Sequence, residues 1–191
     1  MKNVLIINGH PSKKSFCSSL AHSYAKGAHD SKAEVKLVEL GDLDFDPILH
    51  EGYSKIQELE PDLVKLQEDI KWAHHIVIVY PTWWNSMPAI MKGLFDRMWL
   101  PRFAFKFTSP YWHKKLLKGR SARLIITMDS PWLIYRFIFG GCGEKIMKRS
   151  ILKFAGISPV KVTHIDFMKI STEKRRHEWL DYVKKLGRKL I

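Results

Sequence analysis

Short, almost continuously apolar runs separated by helical patterns constrain the fold of this chain more than any other feature. Val4–Asn8 and Ile76–Tyr80 are apolar at nearly every position and rich in β-branched residues. A strand with this pattern is typically buried on both faces, as the central strands of parallel sheets are. Between such runs lie longer segments in which apolar residues recur every three or four positions, the spacing of one helix face. The alternation predicts a parallel sheet covered by helices on both faces.

The complete order contains five strands interleaved with five helices. The predicted strands are Val4–Asn8, Val35–Leu40, Ile76–Tyr80, Arg123–Thr127 and Val160–Ile165. The predicted helices begin near Ser15, Pro61, Pro88, Glu144 and a cap at Ser171 or Thr172, and the fourth ends at Ala155 before Gly156. Because crossovers between parallel strands are right-handed, this order predicts an α/β, flavodoxin-like, doubly wound five-stranded sheet of order 2-1-3-4-5. The apolar stretch Pro131–Cys142 is predicted as a loop.

Length and cysteine usage indicate one domain in a reducing compartment. The 191 residues carry no visible linker or repeat, so residues 1–191 are predicted to form a single domain. Cys17 and Cys142 are too few for a disulfide framework or a four-cysteine zinc site. No leader pattern and no apolar run of about 18 residues is present, which predicts a cytoplasmic protein. His74 and His75 lack spaced partner ligands, so no metal site is predicted.

The net charge of +13 is unevenly distributed along the chain. Residues 1–96 carry 10 basic and 13 acidic side chains, whereas residues 97–191 carry 22 and 6. A basic half can indicate nucleic acid, an anionic membrane surface or an anionic small ligand as partner, or it can simply be a solvated face. No recognised nucleic-acid motif is present, so no nucleic-acid partner is predicted. Any contact with a membrane is expected to be peripheral.

The loop after the first strand has the composition of a phosphate site. His10–Ser18 combines Ser12, Ser15, Ser18 and two lysines with the beginning of a helix. Free N–H groups and the positive end of the helix dipole favour a phosphate there. Simple N-capping by Ser12 or Ser15 explains the same residues. The loop lacks both the G-x-G-x-x-G and the G-K-[ST] patterns, which disfavours dinucleotide-type and NTPase readings.

The loop after the third strand places two indoles beside a buried strand. Pro81–Pro88 contains Trp83 and Trp84, and large exposed aromatics favour stacking against a planar ring. The alternative is that both indoles are anchors of the core or of a dimer interface.

Two motifs of this chain resemble those of the flavodoxin-like NAD(P)H:quinone oxidoreductases. They are Ile6-Ile7-Asn8-Gly9-His10-Pro11 with Ser15-Phe16, and Tyr80-Pro81-Thr82-Trp83-Trp84 continuing through Pro88-Ala89-Ile90-Met91-Lys92-Gly93-Leu94-Phe95-Asp96-Arg97. The resemblance covers nearly the whole chain and includes Phe103-Ala104-Phe105. It implies a bound flavin, NAD(P)H as co-substrate, and a homodimer with sites at the subunit interface.

The resemblance also assigns candidate site residues. His10, Ser15, Phe16 and Cys17, with Ser18 beside them, correspond to the phosphate loop, although many members have Asn where Cys17 stands. The ring-binding loop corresponds to Pro81, Thr82, Trp83, Trp84 and Asn85, and the pyrimidine edge of the flavin to Thr127, Met128, Asp129 and Ser130. Relatives carry Thr-Thr-Gly-Gly at the last four positions. Because the glycines are missing here, we expect fewer backbone contacts to the ring. Tyr135 matches a tyrosine over the flavin and is the catalytic candidate, whereas Gly141 replaces a partner histidine.

The implied function is transfer of a hydride from NAD(P)H through the flavin to a quinone or a similar electrophile. The alternative is a flavoprotein electron carrier, or a regulatory subunit of a partner such as a membrane transporter. FMN is favoured over FAD because the span after Pro47 is short. The segment Pro131–Phe139 is interpreted as a lid over the acceptor site, a buried interface helix or a membrane-surface contact.

Overall fold

The computed structural model describes residues 1–190. Its main sheet has five strands, which are β1 (Asn3–Asn8), β2 (Glu34–Glu39), β3 (His75–Pro81), β6 (Ser121–Thr127) and β7 (Val160–Ile165), while β4 (Phe105–Phe107) and β5 (His113–Lys115) form a separate hairpin. The α-helices are α1 (Phe16–Asp30), α2 (Pro61–Trp72), α3 (Ala89–Met98), α4 (Trp132–Phe137), α5 (Cys142–Lys145) and α6 (Glu173–Lys189). A π-helical segment, Ile146–Lys153, continues α5, and single 3₁₀ turns occupy Leu40–Asp42 and Met168–Ile170. No helix within residues 1–190 is long and apolar enough to cross a membrane.

The topology of the main sheet confirms the predicted flavodoxin-like order. The strands follow the order β2-β1-β3-β6-β7, and every neighbouring pair is parallel. The predicted order 2-1-3-4-5 is the same topology, because it numbers only the five strands of this sheet. The hairpin of β4 and β5 was missed because its three-residue strands are too short and too basic to produce an alternating pattern.

The sheet separates two apolar layers. On one face α1 and α6 pack on β1 and β3, with Tyr24 and Val183 fully buried between them. Gly27 and Gly187 allow these helices to touch, since a side chain at either position would collide with the backbone of the other helix. On the opposite face α2, α3 and the helical segment after α4 cover the larger cluster, which includes Met91.

The helices begin and end where the sequence predicts them, except in the region of α4 and at the start of α5. Ser15 caps α1 and accepts a hydrogen bond from Ser18 N at 3.2 Å, and Thr172 rather than Ser171 caps α6. Pro131–Cys142 was wrongly predicted as a loop, because its first half forms α4. A helix of about a turn and a half, in which Arg136 is the one charged residue, is too short to show a 3.6-residue periodicity. The next helix begins at Cys142 rather than Glu144, and Gly156 ends it with a φ of +106°.

A long irregular segment, Leu43–Glu60, crosses the outer surface of α3 and is held there by Arg97. The Arg97 side chain is only 1 % exposed. Its Nη1 and Nη2 donate to the two carboxylate oxygens of Glu60 at 3.0 Å each, and Nη2 also donates to the Glu58 carbonyl at 2.8 Å. Nη1 further contacts the carbonyl oxygen of Asp46. One guanidinium therefore joins two distant points of the segment to the core.

Candidate functional site

A cleft of about 400 Å³ lies at the carboxyl ends of β1, β3 and β6. This is the place where ligands bind in doubly wound sheets, beside the point at which the strand order reverses. The cleft is lined by three loops and one residue from the segment after β7, namely His10, Ser12, Lys14, Ser15, Phe16, Cys17, Pro81, Thr82, Trp83, Thr127, Met128, Asp129 and Met168.

The loop after β1 turns its donors toward the cleft by a chain of local hydrogen bonds. Asn8 Oδ1 accepts from His10 N at 3.2 Å, and His10 Nδ1 accepts from Ser12 N at 2.9 Å. The Ser12 hydroxyl in turn accepts from Lys14 N at 3.2 Å. The first turn of α1 contains no acidic residue, so its free N–H groups and the Lys14 ammonium create a positive environment.

Glu39 supports this loop from behind and was not predicted as a site residue. Its carboxylate accepts from Asn8 Nδ2 at 2.6 Å and from the Ser18 hydroxyl at 2.8 Å. Ser18 is therefore buried with its hydroxyl directed to β2, and it does not line the cleft. The only sequence signal for this arrangement is a polar residue at the end of each of two neighbouring strands, Asn8 and Glu39.

Cys17 contributes packing rather than a reactive thiolate. Its sulfur lies 3.4 Å from Thr127 Oγ1 and is buried between α1 and the end of β6. Burial raises the pKa of the thiol to about 11, so the thiol is protonated at neutral pH. The contact between Cys17 and Thr127 links the first and third loops of the cleft.

The loop after β3 ends in a tight turn that presents Trp84. Trp83 N donates to Ser86 O, and Ser86 N to Trp83 O, both at 2.9 Å. The two central residues, Trp84 and Asn85, have φ values of +50° and +60°, the signature of a type I′ turn. Such backbone conformations are strained for a tryptophan. The Trp84 side chain is 100 % exposed and, like Asn85, does not line the cleft.

Trp83 joins the first two loops. Its ring meets the His10 ring edge-on, with centroids 5.6 Å apart. The residue before it joins the second loop to the end of β6, because Thr82 N donates to Thr127 O at 2.7 Å. The indole therefore forms one wall of the cleft, next to the donors of the first loop.

The loop after β6 is tied to the segment after β7. Asp129 Oδ1 accepts from Lys169 N at 2.9 Å, and Met168 N donates to Met128 O at 3.2 Å. These bonds bring Met168, which the sequence did not identify, into the cleft wall. Ser130, predicted as the fourth residue of this loop, does not line the cleft.

Tyr135 lies inside the protein rather than on the cleft wall. It is 1 % exposed, and its hydroxyl accepts a hydrogen bond from Glu144 N at 2.9 Å. The Glu144 carboxylate is in turn 2.8 Å from His164 Nε2. Burial raises the pKa of the Tyr135 phenol. In this arrangement the hydroxyl orders the start of α5, and its assignment as the catalytic residue stays a prediction.

Exposed apolar side chains form a continuous surface on α4 and the residues after it. Leu133, Phe137, Ile138 and Phe139 are all exposed, and Phe137 is 74 % exposed. The interpretation of this segment as a lid, an interface or a membrane contact stays a prediction.

The chemistry of the cleft fits a flavin. The hydroxyls, the helix N–H groups and Lys14 of the first loop suit a phosphate. The indole of Trp83, with Pro81 and Met128, suits a planar ring, and backbone groups near Thr82 suit the polar edge of that ring.

Comparison with known proteins agrees with the fold. A family model described as a flavodoxin-like fold matches residues 2–189, and the chain belongs to that family. Several of the proteins to which the chain is similar are named NAD(P)H oxidoreductases or quinone dehydrogenases.

Three similar proteins illustrate this membership. An uncharacterised NAD(P)H oxidoreductase of Haemophilus influenzae is 34% identical over 67% of this chain and 65% of its own length. The NAD(P)H:quinone oxidoreductase of Methanothermobacter marburgensis superposes with a TM-score of 0.83, at 21% identity over 100% of this chain and 99% of that one. An FMN-dependent NADH-azoreductase of Bacillus anthracis, solved with FMN, superposes with a TM-score of 0.77, at 19% identity over 100% and 99% of the two chains. The chain spans just under two thirds of the length of the curated relatives it matches first.

Proposed function

We propose that this protein is a cytoplasmic, flavin-dependent NAD(P)H oxidoreductase that transfers a hydride from NAD(P)H through the flavin to a quinone or a similar electrophile. The observation that carries the proposal is the cleft itself, in which the phosphate donors of the first loop and the apolar side chains of Pro81, Trp83 and Met128 line one space. The names of the relatives support the same activity. When bound, a flavin supplies the hydride and electron-transfer chemistry that these side chains lack.

The residues of the chain would bind and orient that flavin. The α1 N-terminus, the hydroxyls of Ser12 and Ser15, and Lys14 would hold its phosphate, and Trp83 would form a wall beside its ring. Among the polar groups of the cleft, Asp129 is the carboxylate, and its negative charge disfavours a second negative charge nearby. Stabilisation of a negatively charged reduced ring would therefore rest on N–H donors and on the loop cations.

FMN is the flavin that we propose. The azoreductase structure with FMN has the same fold, and the donors that line the cleft suffice for a single phosphate. FAD is the alternative flavin. We also propose a homodimer, because the exposed apolar side chains of α4 would be buried by a second subunit.

Flavin binding and turnover test this function directly. We expect the purified protein to bind FMN in a fluorescence titration, to be bleached by NADPH, and to be reoxidised rapidly by a benzoquinone. Fast bleaching with slow reoxidation by any quinone would favour the alternative, an electron carrier or a regulatory subunit. A protein that binds neither FMN nor FAD would contradict both.

Substitution of Gly143 by alanine is expected to weaken FMN binding at least tenfold. Gly143 N donates to Asn85 O at 3.0 Å, and an added Cβ would collide with that oxygen and lie 2.9 Å from Ser86 Cα. The Trp84–Asn85 turn must then move away from α5, which displaces the ring-binding loop. We expect this displacement to cost at least about 1.4 kcal/mol of binding free energy, the equivalent of a tenfold loss of affinity.

The matched control is Gly52→Ala, whose added Cβ meets no atom within 4 Å and whose positive φ produces only local strain. We expect it to lower thermal stability slightly and to leave the FMN dissociation constant unchanged. Equal FMN affinity of Gly143→Ala and the native protein would mean that the position of this turn does not control binding.

A further inference from the structure

We propose that the outer edge of β7 binds an extended acidic segment of a partner protein, which adds to the main sheet as a further strand. β7 is the last strand in the order of the sheet, so one of its two edges has no neighbouring strand. A groove of about 760 Å³ lies along this edge. Its lining shares no residue with the lining of the cleft, so the inference does not depend on the proposed function.

The groove is formed by β7 itself and by one helical layer on either side. Five consecutive residues of β7, 160–164, line it. Tyr182 of α6 lies on one side, and Trp132 of α4 and Lys148 of the π-helical segment lie on the other. The edge of the strand is therefore open along most of its length, and its two sides offer walls to the side chains of an added strand.

The backbone of β7 presents hydrogen-bonding groups to this groove. Met128 N donates to Ile165 O at 2.9 Å, so the odd-numbered residues of β7 are the ones whose backbone groups face β6. Because successive residues of a strand turn their N–H and C=O groups to opposite edges, Val160, Val162 and His164 direct theirs outward. Among residues 1–190 these outward groups have no hydrogen-bond partner. An unpaired edge of this kind is a template for another strand.

The charge of the groove indicates which kind of strand it suits. Arg123, Lys148 and Lys161 line it, and within residues 1–190 the one carboxylate of its lining is that of Asp166. Asp166 already accepts a hydrogen bond from Trp132 N at 3.0 Å. No carboxylate of the described chain lies within ion-pair distance of Lys148 or Lys161. Acidic side chains on the added strand would supply the missing partners, and such complementarity selects among possible partners.

The opposite edge of the sheet lacks this excess of positive charge. Beside β2, Lys36 Nζ lies 2.5 Å from Asp69 Oδ1, and Lys65 and Asp62 line the same depression, so the charges there are balanced. A second copy of β7 is not the expected occupant of the β7 groove, because the lysines of the two copies would meet along the shared edge. The groove therefore favours a different, acidic chain. All three of its cations belong to the basic half of the sequence, residues 97–191.

A pair of short peptides tests the proposal on the full chain. The probe is the acetylated and amidated peptide Val-Glu-Val-Glu-Val-Glu, which matches the six residues of β7, and the second peptide carries Lys in place of each Glu. We expect calorimetry to give about tenfold tighter binding of the Glu peptide than of the Lys peptide. Binding of the Glu peptide should slow hydrogen exchange at the amides of Val160, Val162 and His164.

Reversal of the groove charge tests the choice of partner. The double variant Lys148→Glu, Lys161→Glu should bind the Glu peptide about tenfold more weakly than the native protein and should prefer the Lys peptide. The control is Lys26→Glu, Lys65→Glu, which makes the same change of charge at exposed positions of α1 and α2 and should keep the native preference.

A backbone substitution tests strand addition itself. Val162→Pro removes one outward N–H of β7 and leaves the bonds to β6 in place, since an edge position whose N–H faces solvent tolerates proline. We expect it to weaken the Glu peptide about fivefold, the loss typical of one hydrogen bond, whereas Val162→Thr keeps the N–H and should keep the affinity. If Val162→Pro does not fold, hydrogen exchange in the native protein decides the same point.

Three results would overturn the proposal. The first is equal affinity for the two peptides, and the second is peptide binding that leaves exchange at the outward amides of β7 unchanged. The third is binding of a single-stranded DNA oligonucleotide that the Lys148→Glu, Lys161→Glu variant abolishes, without binding of the Glu peptide, because the groove would then be a nucleic-acid site. None of these results depends on whether the protein binds a flavin.

Discussion

Replacement of Arg97 by alanine is expected to lower the free energy of unfolding by about 3 kcal/mol. The substitution removes the buried cation that pairs with Glu60 at 3.0 Å, and it leaves the carbonyl groups of Asp46 and Glu58 without their donor. Loss of one partner from a buried ion pair costs about 3–5 kcal/mol, and Glu60 keeps some contact with solvent, which places this case at the lower end. For a chain of this size the melting temperature should fall by about 10 °C.

Two further variants make the interpretation specific. Lys92→Ala removes an exposed i, i+4 pair with Asp96 on the same helix, and we expect a change of about 0.5 kcal/mol or less. Arg97→Lys keeps the charge and loses the bidentate geometry, so its stability should lie between those of the native protein and Arg97→Ala. A urea denaturation series measures all three. If Arg97→Ala and Lys92→Ala are equally stable, the arginine does not anchor the irregular segment.

The second large effect is a loss of stability in mild acid caused by His75. The imidazole is buried at the start of β3, with Nδ1 2.8 Å from the Ser121 hydroxyl and Nε2 3.2 Å from the Tyr24 hydroxyl. Burial, helped by the positive charges of Arg123, Lys2 and Lys161, lowers the pKa of His75 from 6.5 to about 4. The folded protein therefore holds this ring neutral at a pH where the unfolded chain protonates it.

The direction of the effect follows from proton linkage. Below pH 6.5 the unfolded state binds a proton that the folded state excludes, so the free energy of unfolding falls as the pH decreases from about 6.5 to 4. A pKa lowered by this amount reduces the free energy of unfolding by about 3 kcal/mol at the acid end of that window. Well above pH 6.5 it leaves the free energy of unfolding unchanged.

Urea midpoints measured between pH 8 and 4 test this prediction. His75→Gln should be less stable than the native protein at pH 8, because it loses hydrogen bonds in the core, and its stability should depend less on pH below 6.5. His74→Gln, which changes the exposed neighbouring histidine, should keep the native slope. A native slope in His75→Gln would assign the acid sensitivity to other groups.

The predicted sheet was correct because its information is local. Each central strand, such as Val4–Asn8, is apolar enough to be recognised alone, and chirality restricts how such strands connect. α4 was missed for the opposite reason. It has six residues and a single charged side chain, Arg136, so only its contacts with neighbouring elements distinguish it from a loop.

The candidate site likewise divides into residues that local sequence patterns identify and residues that only the folded structure brings together. Helix-start chemistry identified Ser15, and the tandem indoles identified the loop after β3, because both patterns occupy consecutive positions. Glu39, Met168 and Arg176 come from separate strands and turns, and their relation to the cleft arises only when β2, β7 and α6 reach their places. The hydrogen bond between the Tyr135 hydroxyl and Glu144 N likewise depends on the α4–α5 packing.

The amino-acid sequence by itself determined the parallel sheet, the switch point and the two loops that line the cleft, since each depends on residues adjacent in the chain. Only the tertiary structure decided which side chains face the cleft, which are engaged behind it, and where the C-terminal positive charge meets it. The physical reason is that these properties depend on burial and on pairing between distant residues. The net charge of +13 follows from the composition alone. The fold decides that Lys13 is neutralised by Asp42 and that Arg176 lies beside Phe16.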